Sequence, residues 1–233
     1  MKIGILCCGH AMPEVAAKHG DFPEMFARLL DGNGFTFEAY DVENMHFPGN
    51  IRDCDGWLLT GSKHGAYEDH AFIPPLELFI QQAFEHHVPM VGICFGHQII
   101  AQALGGHVEK FNGGWALGLT EYQFDDLGPV QLNAWHQDQV VKLPDSAQPV
   151  ASNGFCENAA LIYDTRAFTV QPHPEFNGSV VSDFVSLRKG TADYPDAMMD
   201  DAVARAAGVD HNQALADKIA AFFKAPREVA HAS

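Results

Sequence analysis

The chain has 233 residues, of which 47% are hydrophobic and 19% charged, enough for one large core and too few for two generous ones. Thirty acidic residues against fourteen basic ones leave a formal charge of −16, which repels phosphate backbones and anionic bilayers, so neither nucleic acid nor a membrane is expected as a partner. No apolar run approaches the roughly 18 residues of a membrane span and no cleavage pattern follows the N-terminal run, so the expectation is a single cytoplasmic domain over residues 1–233.

In chain order, Lys2 to Cys8 comes first: "IGILCC" is a continuous apolar run ending at Gly9 and reads as a central parallel strand. Asp21, followed by Pro23 and Glu24, makes a capping-box start, after which Phe22, Met25, Phe26, Leu29 and Leu30 share a helical face that "DGNG" ends. "FTFEAYDV" alternates as a strand, "DGWLLT" reads as a second buried strand, and Leu76, Phe79, Ile80, Ala83 and Phe84 recur at helical spacing. "VPMVGI" is the next strand. Strands and helices in alternation predict an α/β fold with a doubly wound, mostly parallel sheet, whose ligands bind at the carboxyl ends of the strands; Thr60 to Ser62 and Cys94 both fall there. From about residue 107 to 171 the runs shorten and are broken by Gly, Pro and Asn, as in "LGLTEYQF" and "PVASNGF", which predicts an antiparallel extension at the sheet edge. The tail over about 190–225 reads as helical, with Leu215, Ile219, Phe222 and Phe223 on one face, and "KGTADYPDAMMDD" as a connection into an earlier helix.

The five cysteines, Cys7, Cys8, Cys54, Cys94 and Cys156, are odd in number and lack paired metal-ligand spacing, so neither a disulfide framework nor a zinc site is expected. Cys94 is the exception to a bland reading as buried small residues. It stands in Gly92-Ile93-Cys94-Phe95-Gly96 between a strand and a helix, a G-x-C-x-G elbow in which flanking glycines remove Cβ atoms that would strike the neighbouring strand and helix. The helix starting after it offers a positive dipole end and free N–H groups to a thiolate or an oxyanion. A cysteine nucleophile needs a base, and the base needs an orienting group. "VQPHPEF" supplies both: His173 sits between two prolines, and Glu175, two residues on in an extended segment, points to the same side.

"GICFGHQIIAQALGG" with "QPHPEF" about 80 residues later resembles the triad-type, class I glutamine amidotransferases, a single-domain, three-layer, flavodoxin-like fold. "LLTGS" is similar to that family's oxyanion strand, and "AWHQDQVVKLP" to the His-x-Asp-x-Val segment of amidotransferase domains such as that of GMP synthetase. The resemblance implies Cys94 as nucleophile, His173 as general acid/base and Glu175 as its orienting partner. It implies an oxyanion hole from the backbone N–H groups of Phe95 and Ser62, with Gly61 allowing close approach. It also implies that Gln98, His136 and Asp138 contact the substrate.

The implied reaction is hydrolysis of a small-molecule γ-glutamyl amide through a γ-glutamyl thioester, with no metal and no organic cofactor. Thr60-Gly61-Ser62-Lys63 replaces the family's usual Gly-Gly-Pro, a departure shared with stand-alone members similar to γ-glutamyl peptidases. With the chain ending near residue 233, no fused synthase is expected; the alternative is a glutaminase subunit that hands ammonia to a separate synthase partner. A catalytically silent member of the fold and an ordinary α/β-hydrolase with a cysteine elbow are weaker readings, because Cys, His and Glu are all present and the acid follows the histidine. Oligomeric state and the departing amine are left open. "HGAYEDHAF" stands out as a polar loop beside the site, although such residues are more often simply solvated.

Overall fold

The computed structural model describes residues 1–226. Its elements run in chain order β1 (Lys2–Leu6), α1 (Pro13–His19), α2 (Phe22–Leu29), β2 (Thr36–Tyr40), β3 (Gly56–Leu59), α3 (Ile73–Glu85), β4 (Met90–Ile93) and α4 (Phe95–Ala103). They continue with β5 (His107–Lys110), β6 (Ala116–Phe124), β7 (Gly128–His136), β8 (Asp138–Lys142), β9 (Gln148–Ser152), β10 (Ala160–Tyr163), β11 (Ala167–Val170), α5 (Gly178–Arg188), α6 (Asp196–Arg205) and α7 (Asn212–Lys224).

Nine strands form one sheet in the order β2-β1-β3-β4-β11-β10-β9-β6-β7. The first five are parallel neighbours and the remaining pairings are antiparallel, so the fold is the expected doubly wound α/β sheet with an antiparallel extension. β5 and β8 pair separately.

The central strands are apolar at nearly every position because alternate residues serve two cores. Ile3, Ile5, Leu58, Val91, Ile93 and Val170 pack on one face against Phe26 of α2, Val181 of α5 and Ile219 of α7. Leu6, Trp57, Leu59 and Met90 pack on the other against Leu76 and Ile80 of α3 and Ile99 and Ile100 of α4. All five cysteines are free and buried; this includes Cys94, 6% exposed, where the elbow reading places an exposed sulfur. No helix among the described residues is long and apolar enough to cross a membrane.

Two helices depart from the sequence reading. α1 lies between Gly9 and Asp21, where the sequence pattern marks no element, and buries only Val15, so it carries no apolar stripe to find. The "DAMMDD" half of the supposed connection is the start of α6, which buries Met199 and Ala202. The capping box of α2 is present in full: Glu24 accepts from the Asp21 N–H at 3.0 Å while the Asp21 carboxylate caps the helix.

Register positions the site. β3, β4 and β11 lie side by side with Leu59 opposite Gly92 and Ile93 opposite Val170, so Thr60, Cys94 and Gln171 leave the sheet at the same edge.

Candidate active site

Cys94 caps α4 with φ 53° and ψ −104°, a left-handed conformation that is rare for a side-chain-bearing residue. Its N–H donates to the Val170 carbonyl at 2.9 Å, and the Gly96 N–H donates to the Thr60 carbonyl at 3.1 Å. Between them, the Phe95 N–H has no acceptor among the described residues. The elbow is tight. A Cβ on Gly92 would lie 2.4 Å from the Gly96 oxygen, and one on Gly96 would lie 2.3 Å from the Leu59 oxygen, so neither position admits a side chain.

His173 reaches this elbow from β11. Its own N–H donates to the Asn133 carbonyl at 2.8 Å, an isolated bridge that ties the segment to β7. The imidazole Nδ1 lies 2.7 Å from Glu175 Oε1, and the ring stacks on Phe176 with centroids 4.2 Å apart and planes 2° from parallel. Asn133 and Asn212 both donate to the Phe176 carbonyl, at 2.8 and 2.9 Å, and hold the turn closed. Burial opposes a charged His173, but the Glu175 carboxylate and the adjacent Cys94 sulfur outweigh it and push the imidazole up to about 10. The ring is therefore an imidazolium at neutral pH. Gly61 faces the same ring: a Cβ there would sit 3.0 Å from His173 Cε1 and 3.8 Å from Cys94 Cβ. The structure thus brings Cys94, Phe95, Gly61, Ser62, His173 and Glu175 to one edge of the sheet.

The three remaining expected residues are arranged differently. Gln98 is buried, and its amide donates to Gln171 Oε1 at 3.1 Å and to the Asp138 carbonyl at 3.0 Å. His136 is buried at the end of β7, with Nδ1 3.3 Å from the Asp138 carbonyl and Nε2 without a partner. Burial first, and the charge on His173 second, lower His136 to about 3, so it is neutral. The Asp138 carboxylate turns to Tyr67; burial raises its pKa, and the Tyr67 hydroxyl partly offsets this.

Gln171 is a neighbour that the sequence reading missed. It is fully buried, and its Nε2 donates to Cys94 Sγ at 3.6 Å while its Oε1 accepts from Gln98. Gln171, His173 and Glu175 follow one another at every second position, so the alternation that selected Glu175 also pointed to Gln171. His97 could not be found that way. It lies on the buried face of α4 with Nδ1 2.8 Å from Thr169 Oγ1 of β11, and is lowered to about 3 by burial and by His136.

A thiol on a strained elbow, a charged imidazole beside it and a carboxylate behind the ring can support acyl transfer without further groups. Comparison with known proteins identifies the family. The family model described as glutamine amidotransferase class-I matches residues 33–185. A Schizosaccharomyces pombe protein described as glutamine amidotransferase-like is 29% identical over 245 aligned residues, covering 94% of this chain and 97% of that one. Gamma-glutamyl peptidase 4 of Arabidopsis thaliana is 29% identical over 182 residues, 72% of each chain. The crystal structure of a glutamine amido transferase from Methylobacillus flagellatus superposes with a TM-score of 0.76 at 22% identity, covering 100% of this chain and 98% of that one, a likeness of fold. With the family match spanning well over half of its length, the chain belongs to the class-I glutamine amidotransferase family.

Proposed function

We propose that this protein hydrolyses a γ-glutamyl amide bond through a γ-glutamyl thioester on Cys94. The observation that carries the reading is the Cys94 elbow at φ 53° facing an imidazole that is itself held 2.7 Å from Glu175. Cys94 sulfur adds to the amide carbonyl carbon, and the oxygen takes the negative charge. The Phe95 and Ser62 N–H groups stabilise that oxyanion, helped by the positive end of α4. The C–N bond breaks as His173 gives its proton to the leaving nitrogen, and the thioester remains.

Acylation changes the histidine. Once the sulfur is held in a thioester its part in raising His173 is gone, and Glu175 alone remains of the two neighbours that raise it. The ring then becomes a better base for the incoming water. Water surrenders a proton to His173 and attacks the thioester; the C–S bond breaks, glutamate leaves and the sulfur regains its proton partner. Glu175 keeps the ring oriented throughout, and Gln171 holds the sulfur through the Gln98–Gln171 pair.

The leaving group is an amine of a γ-glutamyl peptide, in keeping with the similarity to a γ-glutamyl peptidase. Purified protein incubated with γ-glutamyl dipeptides, a γ-glutamylated amine and glutamine should release glutamate fastest from the dipeptides. A preference for glutamine would favour supply of ammonia to a synthase partner instead. Cys94→Ala should lower kcat/KM by at least about 1,000-fold. Failure to release glutamate from any of these, together with no labelling of Cys94 by a glutamine-like chloroketone, would overturn the proposal.

A further inference from the structure

The loop that leaves the Gly61-Ser62 turn carries a second set of chemically competent side chains, outside the hydrolytic site. His64 Nε2 lies 2.9 Å from Glu43 Oε1, and the other ring nitrogen, Nδ1, lies 3.8 Å from Glu68 Oε2. His70 Nε2 lies 2.8 Å from the same Glu68 oxygen. The two imidazole rings are tilted 50° to one another with centroids 3.9 Å apart. One ligand atom from each of His64, Glu68 and His70 lies within 4.8 Å of the others. Donors on a tetrahedral ion with bonds of about 2.0–2.1 Å stand about 3.4 Å apart, so small side-chain adjustments bring all three onto one ion.

The carboxylate of Glu43 decides the chemistry of His64. A proton on Nε2 is the one that can be donated to Glu43, which leaves the Nδ1 lone pair directed at the Glu68 carboxylate. In that tautomer two acceptors face each other across 3.8 Å, a gap that a proton or a metal ion fills. A histidine whose outer nitrogen is fixed by a carboxylate is also the common support for a metal-ligating ring. Phe72 lies parallel to His70, with centroids 6.0 Å apart, and reaches Phe95 of the elbow at 6.0 Å, so the group is built onto the site rather than hanging in solvent.

We propose that His64, Glu68 and His70 bind a zinc-like divalent cation, with Glu43 orienting His64 and a fourth position open to water. Two imidazoles and one carboxylate suit zinc or cobalt and not calcium or magnesium, which take oxygen-rich sets. The His64 N–H donates to Ser62 Oγ at 3.2 Å, so an ion here ties down the segment that begins at the proposed oxyanion turn.

The test uses chelator-treated full-length protein carrying Cys94→Ala, so that the elbow thiol cannot itself take the metal. Titration with Zn2+ by calorimetry should show one ion per chain in the micromolar range or tighter, and Co2+ should give the visible absorption of a tetrahedral site. His70→Ala and Glu68→Ala, both on the exposed side of the loop, should each weaken binding by at least about 30-fold without changing the far-ultraviolet circular dichroism. Glu43→Gln should weaken it by about 10-fold. Cys7, His10 and Asp21 form a competing cluster, but burial pushes the Cys7 thiol far up and works against its ligating form. His10→Ala should therefore leave the affinity unchanged. No saturable binding, binding that survives both loop substitutions, or loss of binding in His10→Ala would each overturn the site; unchanged affinity in Glu43→Gln would overturn the part assigned to Glu43.

Discussion

Phe176 governs how well His173 is aimed. The two rings lie 2° from parallel, and a flat aromatic face is the one surface that fixes the plane of an imidazole while leaving both of its nitrogens free for Glu175 and Cys94. A Phe176→Leu substitution keeps apolar volume but loses that plane. It should cost about 1 kcal/mol in chemical denaturation and lower kcat about 10-fold with little change in KM, because misalignment acts on the transition state more than on binding. Equal losses in KM and kcat/KM would place Phe176 in substrate binding instead. His97 and His136, both buried and both lowered to about 3, lie on the other side of this balance: they remain neutral beside the charged His173. A second buried imidazolium there would compete with His173 for the same carboxylate.

At the scale of elements, α4 docks on the sheet through two positions that have no side chain. An alanine at 96 would drive its Cβ against a backbone oxygen of β3 that cannot swing away, so Gly96→Ala should destabilise the protein by about 2 kcal/mol or more in urea titrations. Gly154→Ala, with open space around it and no left-handed backbone, should be neutral or raise stability by up to about 1 kcal/mol. The elbow glycines Gly92 and Gly96 were legible in the sequence because their meaning is local: a strand, five residues and a helix. His173 and Glu175 were legible for the same reason, lying two residues apart in one extended segment. α1 was hidden because a seven-residue helix that buries one side chain has no period to detect. The Glu43–His64 pair and the His97–Thr169 pair were hidden because they join residues 21 and 72 positions apart, and only the pairing of strands brings them together.

Across the whole molecule, the buried histidines predict the dependence of stability on pH. His173 is raised in the fold, so its contribution is complete below the unfolded value of about 6.5 and is lost as pH rises from there toward about 10. His97 and His136 are lowered, so unfolding takes up protons below about 6.5, and stability falls as pH drops toward about 3. Urea midpoints measured from pH 4.5 to 9.5 should peak at about pH 6.5; a midpoint that rises steadily through pH 8 would contradict the charge assigned to His173. The seam between β4 and β11 has a consequence for how such a protein can change. Strand pairing moves only in whole steps, and slipping this ladder by one pair of residues would carry His173 about 7 Å along the sheet, beyond reach of the sulfur. The distance between Cys94 and His173 therefore cannot drift gradually, whereas exposed loop positions such as Tyr67 and Asp69 can be exchanged one at a time. Under the proposed reaction, descendants of this fold can thus exchange one amine for another while the bond-breaking step is inherited intact.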